Sequence, residues 1–421
     1  MIPFSLEYIQ SQNLKETSNL NDELSDFVCL FDETKTNSLL AVETEIFVFG
    51  FCKLTLLKGS LSLNGTSLKI GEKVKLIVSN WTPAASLKVD TLKDKDKNNY
   101  DGDILHLLKK YKIESKFEKS VIFNNNNKSI VFIESLDSKN EWLLEAEDTS
   151  NNIKKIVDNS IKNQKGRIYH TTTAIFGALE TFQSLSIDCF QLPMSWEDTL
   201  NSIISNECKS SPKILICGPR GVGKSTYLKY SINKLLKKFK QIAVIDCDLG
   251  QPEFTPPGIV SLHIIDDFIN TPSHLNLKKP ELSYFIGDIT SKNNPDLHLK
   301  ALSLLYSHYQ ILETNLKTST KHTNKSVHNM YDVLQIKSNV HGLLPLVINT
   351  DGWIKYMGAE ILSSIISILC PSNICYIISE RDKHIEFLEN RTLPEGCELS
   401  ILKPGKISPS KISAADLRIL K

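Results

Sequence analysis

The sequence predicts an α/β domain with a parallel sheet and a phosphate-binding P-loop, preceded by a β-rich N-terminal domain. Three observations predict it. Short alternating apolar runs broken by turn residues fill 45–79; strand-like and helix-like runs alternate after residue 191; and an apolar strand, a glycine-rich loop and a helix-forming stretch follow one another over 213–238.

A chain of 421 residues is long enough for two or three domains, each with its own core. With 41% hydrophobic and 23% charged residues the composition is globular. The 49 basic residues balance 48 acidic ones, so a nucleic-acid site would have to be a local basic patch. The nine cysteines show no CxxC spacing and read as reduced, in an intracellular compartment. The start MIPFSLEYIQ lacks a basic stretch followed by an apolar one, so no secretory signal is expected. No apolar run approaches the roughly 20 residues of a membrane helix.

In the first part (1–190), strands are expected at 45–59, 60–70, 74–79, 129–136 and 141–148, with Asn64-Gly65 as a hairpin turn. The polar stretches 93–103 and 124–129 read as solvated loops. Near 185–195 the texture changes, and Ser195 looks like the cap of a helix. The second part (191–395) should hold strands at 213–218, 241–248, 284–289, 345–350 and 373–379. Helices are expected at 224–238, 295–314 and 356–369, with 313–329 a polar surface segment. Residues 396–421 form the remaining segment.

Gly218-Pro219-Arg220-Gly221-Val222-Gly223-Lys224-Ser225, followed by Thr226, fits the GxxxxGK[ST] pattern between a strand and a helix. Glycines let backbone N–H groups wrap phosphate oxygens, and the helix N-terminus adds partial positive charge. Lys224 would reach the β- and γ-phosphates and Ser225 a Mg²⁺ ion. An ordinary glycine turn before a helix is the competing reading. The next strand ends in Asp246-Cys247-Asp248, at the carboxyl edge where ligands of open α/β sheets bind. Carboxylates there can serve a metal or accept a proton, or merely cap a turn.

Asp246-Cys247-Asp248-Leu249-Gly250-Gln251 followed by Phe254-Thr255-Pro256-Pro257-Gly258 resembles the polynucleotide 5′-hydroxyl kinase family. Phe285-Ile286-Gly287-Asp288-Ile289-Thr290-Ser291 and Asn349-Thr350-Asp351-Gly352-Trp353 are similar to two further family segments, the second a Thr-x-Gly-Trp clasp. The resemblance is dense over 213–360 and looks most like the nucleolar, ribosomal-RNA-processing branch; the messenger- and transfer-RNA branch is the alternative.

The resemblance implies transfer of the ATP γ-phosphate to the 5′-hydroxyl of RNA, with Mg²⁺, in the nucleus and specifically the nucleolus. It also implies an endoribonuclease partner. It makes Asp248 the base on the hydroxyl, and places Asp246 and Gln251 around the metal. Trp353 becomes a stacking platform for a base, with Thr350 and Thr290 as acceptor contacts. Ser413-Ala414-Ala415-Asp416-Leu417-Arg418 resembles the family's lid and makes Arg418 its last arginine. Ser413 stands where an earlier lid arginine is expected, with Lys411, Arg381 and Arg391 as substitutes. The family continues into a C-terminal domain, whereas three residues follow Arg418. The alternative reading is a catalytically weak, ATP-binding scaffold. A GTPase or transport ATPase is disfavoured because no NKxD-like motif or signature loop is found.

Overall fold

The computed structural model describes residues 27–31, 36–78, 83–90, 129–136, 169–171, 173–185, 187–205, 210–270, 276–323, 343–379 and 393–405. The strand expected at 141–148 and the loop at 93–103 lie outside them.

A ten-stranded sheet comes first. Its strands are β1 (Phe27–Phe31), β2 (Asn37–Val42), β3 (Glu45–Lys58), β4 (Leu61–Leu63), β5 (Thr66–Ser67), β6 (Lys73–Val78), β7 (Ala85–Val89), β8 (Ser129–Ser135), β9 (Tyr169–His170) and β10 (Ala174–Gly177). Their ladders are antiparallel. The long β3 pairs with β7 and β10 along its first half and with β6 and β8 along its second, so the sheet branches along it. The register shifts between Leu56 and Lys58. Because both faces of β3 are covered, it is buried almost throughout instead of alternating. The short helix α1 (Leu179–Ser184) closes this core by setting Phe182 against Phe47, ring centroids 6.4 Å apart.

The expected hairpin forms at Asn64-Gly65. Both residues have positive φ, 49° and 81°, as a two-residue turn between twisted strands requires. A Cβ on Gly65 would lie 2.7 Å from the ring of Tyr230, so the turn tip rests on the second half of the chain.

That half begins with α2 (Met194–Ser205), which starts one residue before the expected cap. Ser195 Oγ instead accepts the Lys403 N–H at 3.3 Å, and Trp196 Nε1 donates to the Lys403 carbonyl at 2.8 Å. Then come β11 (Lys213–Cys217), α3 (Lys224–Leu235), β12 (Ile242–Asp246), β13 (Ile259–Ile265), β14 (Leu282–Phe285), α4 (Pro295–Thr323), β15 (Leu346–Asn349), α5 (Met357–Leu369), β16 (Asn373–Ile377) and β17 (Glu398–Leu402). The seven strands lie in the order β14-β13-β12-β15-β11-β16-β17.

The sheet is mixed, which corrects the expectation of a parallel one. Five strands from β12 to β17 run parallel to their neighbours, but β13 and β14 are antiparallel additions. The cause is the connection 247–258, which holds no helix and returns the chain directly beside β12. A parallel neighbour would need the chain to cross back over the sheet, normally through a helix. β14 also ends at Phe285, short of the expected 289. β17 lies inside the span assigned to the terminal segment. α4 runs to Thr323, through most of the expected polar surface segment. A Glu313–Lys317 ion pair (3.0 Å) supports the polar end of this helix.

Alternation on the central strands sorts the core into two layers. Leu215 and Cys217 join α4 and α5 through Leu302, Leu305, Tyr309, Ile361 and Ile365. Ile214 and Ile216 join α2 and α3 through Trp196, Leu200, Tyr227 and Leu228. The Trp196 and Tyr227 rings meet edge-on at 4.9 Å. Helices on both faces thus hold one edge of the sheet, the carboxyl ends of β11, β12 and β15, at a fixed place. Among the described residues no helix is long and apolar enough to cross a membrane, and Cys52, Cys189, Cys217, Cys247, Cys370, Cys375 and Cys397 form no disulfide among the described residues.

Candidate active site

The phosphate loop leaves β11 and enters α3. Gly218 has φ 142°, and a Cβ there would lie 2.3 Å from the Ile377 carbonyl, so the loop can begin only with glycine. Gly223, with φ 99°, stands at the helix N-terminus and offers no capping side chain, leaving the first N–H groups of α3 for an anion. Lys224 Nζ donates to the carbonyls of Gly218 (3.0 Å) and Pro219 (2.8 Å). Burial lowers its pKa, while Asp248 and Asp351 pull it back up. Both carboxylates thus favour its charged form, while its hydrogen bonds stay within the loop.

The register brings three strand ends together. Asn349 of β15 pairs with Asp246 of β12 on one side and with Ile216 of β11 on the other. The residues that follow are Asp248, Asp351 and the first loop glycine. Their common edge is where a nucleotide and an acceptor could meet.

Asp246 is fully buried and accepts three hydrogen bonds. Its Oδ1 takes the Asp248 N–H (3.2 Å) and Asn349 Nδ2 (2.9 Å); its Oδ2 takes the Glu253 N–H (2.6 Å). Burial, then the charge of Asp248, pushes its pKa up to about 7 despite those donors. Asp248 Oδ1 accepts the N–H groups of Gly250 (2.8 Å) and Gln251 (2.9 Å), which folds the chain back at once. Glu253 is buried, with Asn276 Nδ2 2.7 Å and Lys229 Nζ 3.7 Å from its Oε1. These contacts anchor the loop on both sides.

Gln251 is half-buried in that turn. Asn349 Oδ1 is buried and has no hydrogen-bond partner among the described residues. An orphan acceptor beside a buried carboxylate suits the water shell of a hard cation, so the oxygen set of Ser225, Asp246 and Gln251 fits Mg²⁺.

Thr350 is 2% exposed, and its hydroxyl donates to the Ile216 carbonyl at 2.8 Å. That hydroxyl ties β15 to β11. A Cβ on Gly352 would lie 2.8 Å from the Arg220 backbone, so the clasp lies flush against the phosphate loop. Trp353 donates its N–H to Asp351 Oδ1 at 3.0 Å and is half-buried. Its indole lies on Gly358, where a Cβ would come within 2.5 Å of Cγ. Thr290 and Asp288 form a second small turn, with the Thr290 N–H on Asp288 Oδ1 at 3.2 Å, in the loop after β14. The Ile286 N–H reaches the Gly258 carbonyl at 2.8 Å, joining that loop to the one after Asp248. Arg418, Lys411, Ser413, Arg381 and Arg391 lie outside the described residues.

Three contributors escaped the sequence reading. Asn349 and Asp351 lay within a quoted segment, and their pairing opposite Asp246 and Asp248 was the missing signal. His298 of α4 is buried, and its Nε2 lies 3.1 Å from the Cys247 carbonyl, between the two aspartates. Burial lowers its pKa, so it stays neutral and donates this bond. Nothing in the local sequence marks that role, which exists only because α4 packs behind β12.

Comparison with known proteins sets these features in a family. A family model described as mRNA cleavage and polyadenylation factor CLP1 P-loop matches residues 218–323 and 311–418. Over 203 residues (46% of the chain) the sequence is 35% identical to polynucleotide 5′-hydroxyl-kinase NOL9 of Arabidopsis thaliana, covering 49% of that relative. NOL9 of Danio rerio is 26% identical over 87% of the chain and 49% of the relative, and grc3 of Schizosaccharomyces pombe 31% identical over 48% and 25%. The chain thus spans about half or less of the length of these relatives. A solved complex of wild-type Clp1p with Pcf11p is 14% identical, with a TM-score of 0.49 over 92% of this chain and 71% of that one. Over about half of its length the chain is thus similar to polynucleotide 5′-hydroxyl kinases, several of which carry the NOL9 name.

Proposed function

We propose that this protein transfers the γ-phosphate of ATP to the 5′-hydroxyl end of RNA. The observation that carries the reading is the single sheet edge on which the phosphate loop, Asp248 and the 350–353 clasp converge through the pairing of Asn349 with both neighbours. The relatives' names, polynucleotide 5′-hydroxyl kinase, supply the acceptor class.

In this reading residues 218–226 cradle the triphosphate, with Lys224 swinging from its carbonyl partners to the β- and γ-phosphates. Asp248 takes the proton of the attacking hydroxyl. Its carboxylate is held by two backbone N–H groups, so its aim is set before the acceptor arrives. The other oxygen is left for the substrate. Mg²⁺, held by Ser225 with Asp246 and Gln251 around it, would supply charge neutralisation at the phosphates. Trp353 would offer an indole face for stacking on a base, with Thr350 and Thr290 as acceptor contacts and Arg418 as the lid arginine. In this reading residues 1–190 form a β-rich domain and 191–395 the kinase domain, to whose sheet β17 adds the last strand, and the lid is assigned to the residues after β17. The branch resemblance supports a place in ribosomal RNA processing in the nucleolus, alongside an endoribonuclease.

The test is transfer of label from γ-labelled ATP to matched 5′-hydroxyl RNA and DNA oligonucleotides, by the full chain and by Lys224→Ala. Transfer to RNA that is lost in the variant supports the reading. ATP binding with no transfer to either acceptor would favour an ATP-dependent scaffold instead.

A further inference from the structure

Asp351 closes β15 between the phosphate loop on one side and Asp248 on the other, and the reaction proposed above does not use it. Its neighbours are set by the ladder: Asp246 and Ile216 both pair with Asn349, two residues before it. Gly352 then presses on Arg220, which fixes the carboxylate beside the loop.

Resting on the kinase reading, we propose that Asp351 is a specificity-determining residue whose charge repels a 5′-end that already carries a phosphate. The local fold requires only an acceptor at position 351, because Oδ1 takes the Trp353 N–H. An asparagine would serve that turn equally well. The turn does not need the charge, which acts instead on Lys224 and on whatever occupies the acceptor position.

A 5′-hydroxyl is neutral and meets no penalty beside Asp351. A 5′-phosphate carries close to two negative charges near neutral pH and would sit where the transferred group is left, between Lys224 and Asp248. Before transfer the γ-phosphoryl is tethered to the rest of ATP in the loop. After transfer no bond holds it there, and two carboxylates push against it. Asp248 must face the acceptor for chemistry; Asp351 adds discrimination without taking part in proton transfer.

The groups facing Asp351 set its pH range. Asp248 and Cys247 face it from the end of β12, and Lys224 from the phosphate loop. Burial first, then the charge of Asp248, pushes its pKa up to about 6, while the Trp353 N–H and Lys224 pull it down. Asp351 is thus charged above that pH and neutral below it, and discrimination weakens in acid.

The experiment measures binding of matched RNA oligonucleotides, 5′-hydroxyl and 5′-phosphate, to the full chain with ADP present. The parent is compared with Asp351→Asn and Asp351→Glu at pH 7.5 (roughly physiological) and at about pH 5.5, either side of the titration. The expected result is roughly tenfold tighter binding of the phosphorylated oligonucleotide to Asp351→Asn at the higher pH, with the hydroxyl oligonucleotide unchanged. Asp351→Glu keeps the parent's preference, and the parent approaches Asp351→Asn at the lower pH. An unchanged preference in Asp351→Asn, or equal loss in Asp351→Glu, overturns the inference while leaving the kinase reading intact. A parent that binds ADP but neither oligonucleotide overturns the kinase reading, and this inference with it.

Discussion

Asp246 and Asp351 are carboxylates whose proton affinity is raised by burial, to about 7 and about 6. Above its ordinary carboxylate range, each still holds a proton in the folded state that the unfolded chain has released. Stability from these groups is therefore full below about pH 4 and is lost as pH rises through the folded values. Asp351→Asn removes one of the two titrations and keeps the acceptor for Trp353. Its melting temperature should fall less steeply than the parent's between about pH 4 and 6, as followed by thermal unfolding across that range. An equal slope in the two proteins would mean that Asp351 is not held protonated there. His298 gives a second residue-scale test. Replacing it with leucine leaves the buried Cys247 carbonyl without its partner, a cost of about 1–3 kcal/mol. Because that peptide joins Asp246 to Asp248, turnover should fall more than the apparent ATP affinity does. A variant with normal kcat would reduce the imidazole to a core residue.

Among the elements, the clasp and the start of α5 are packed without tolerance. Tyr356 enters the helix with φ 53° and stands 89% exposed, and Gly358 lies directly under the Trp353 indole. Gly358→Ala would drive a methyl group into both the Trp353 carbonyl and its ring. The expected result is a loss of about 1–3 kcal/mol in denaturant unfolding, together with a shifted tryptophan emission. An unaltered spectrum would place the indole elsewhere. The same element shows why a tryptophan's use was hard to read from sequence. Trp353 stands at the end of an apolar run in a recognisable segment, but the face it keeps for solvent depends on a glycine five positions later. Strand β13 was missed for a comparable reason. Its apolar run, Ile259–Ile265, was visible, but its direction was decided by the absence of a helix in 247–258.

At the scale of the whole molecule, the two sheets meet where the Asn64-Gly65 turn reaches α3. Gly65 touches Tyr230, and Lys237 Nζ donates to Ser67 Oγ at 3.0 Å. Gly65→Val adds bulk against Tyr230 at a residue whose φ is 81°, so it should weaken both halves in thermal unfolding. A transition confined to the first sheet would show that the halves are energetically separate. Motifs with fixed spacing were legible because their chemistry is local: the phosphate loop needs consecutive glycines, lysine and serine, and Asp248 folds back on its own next residues. Contributions that cross strands or layers, such as Asn349 to Asp246 or His298 to Cys247, leave no local trace. They follow from sheet order and helix packing, which no run of residues encodes alone.

The account turns on Asp248 as the group that takes the proton from the attacking hydroxyl. Its most direct test is single-turnover transfer from γ-labelled ATP to a 5′-hydroxyl RNA by Asp248→Asn, with ATP binding measured on the same sample. Asparagine keeps an Oδ1 for the Gly250 and Gln251 N–H groups, so the turn should survive. The expected result is ATP binding like the parent's with transfer slowed by about 10²–10⁴-fold. Transfer at the parent's rate would contradict the assignment of the base while leaving the phosphate loop in place.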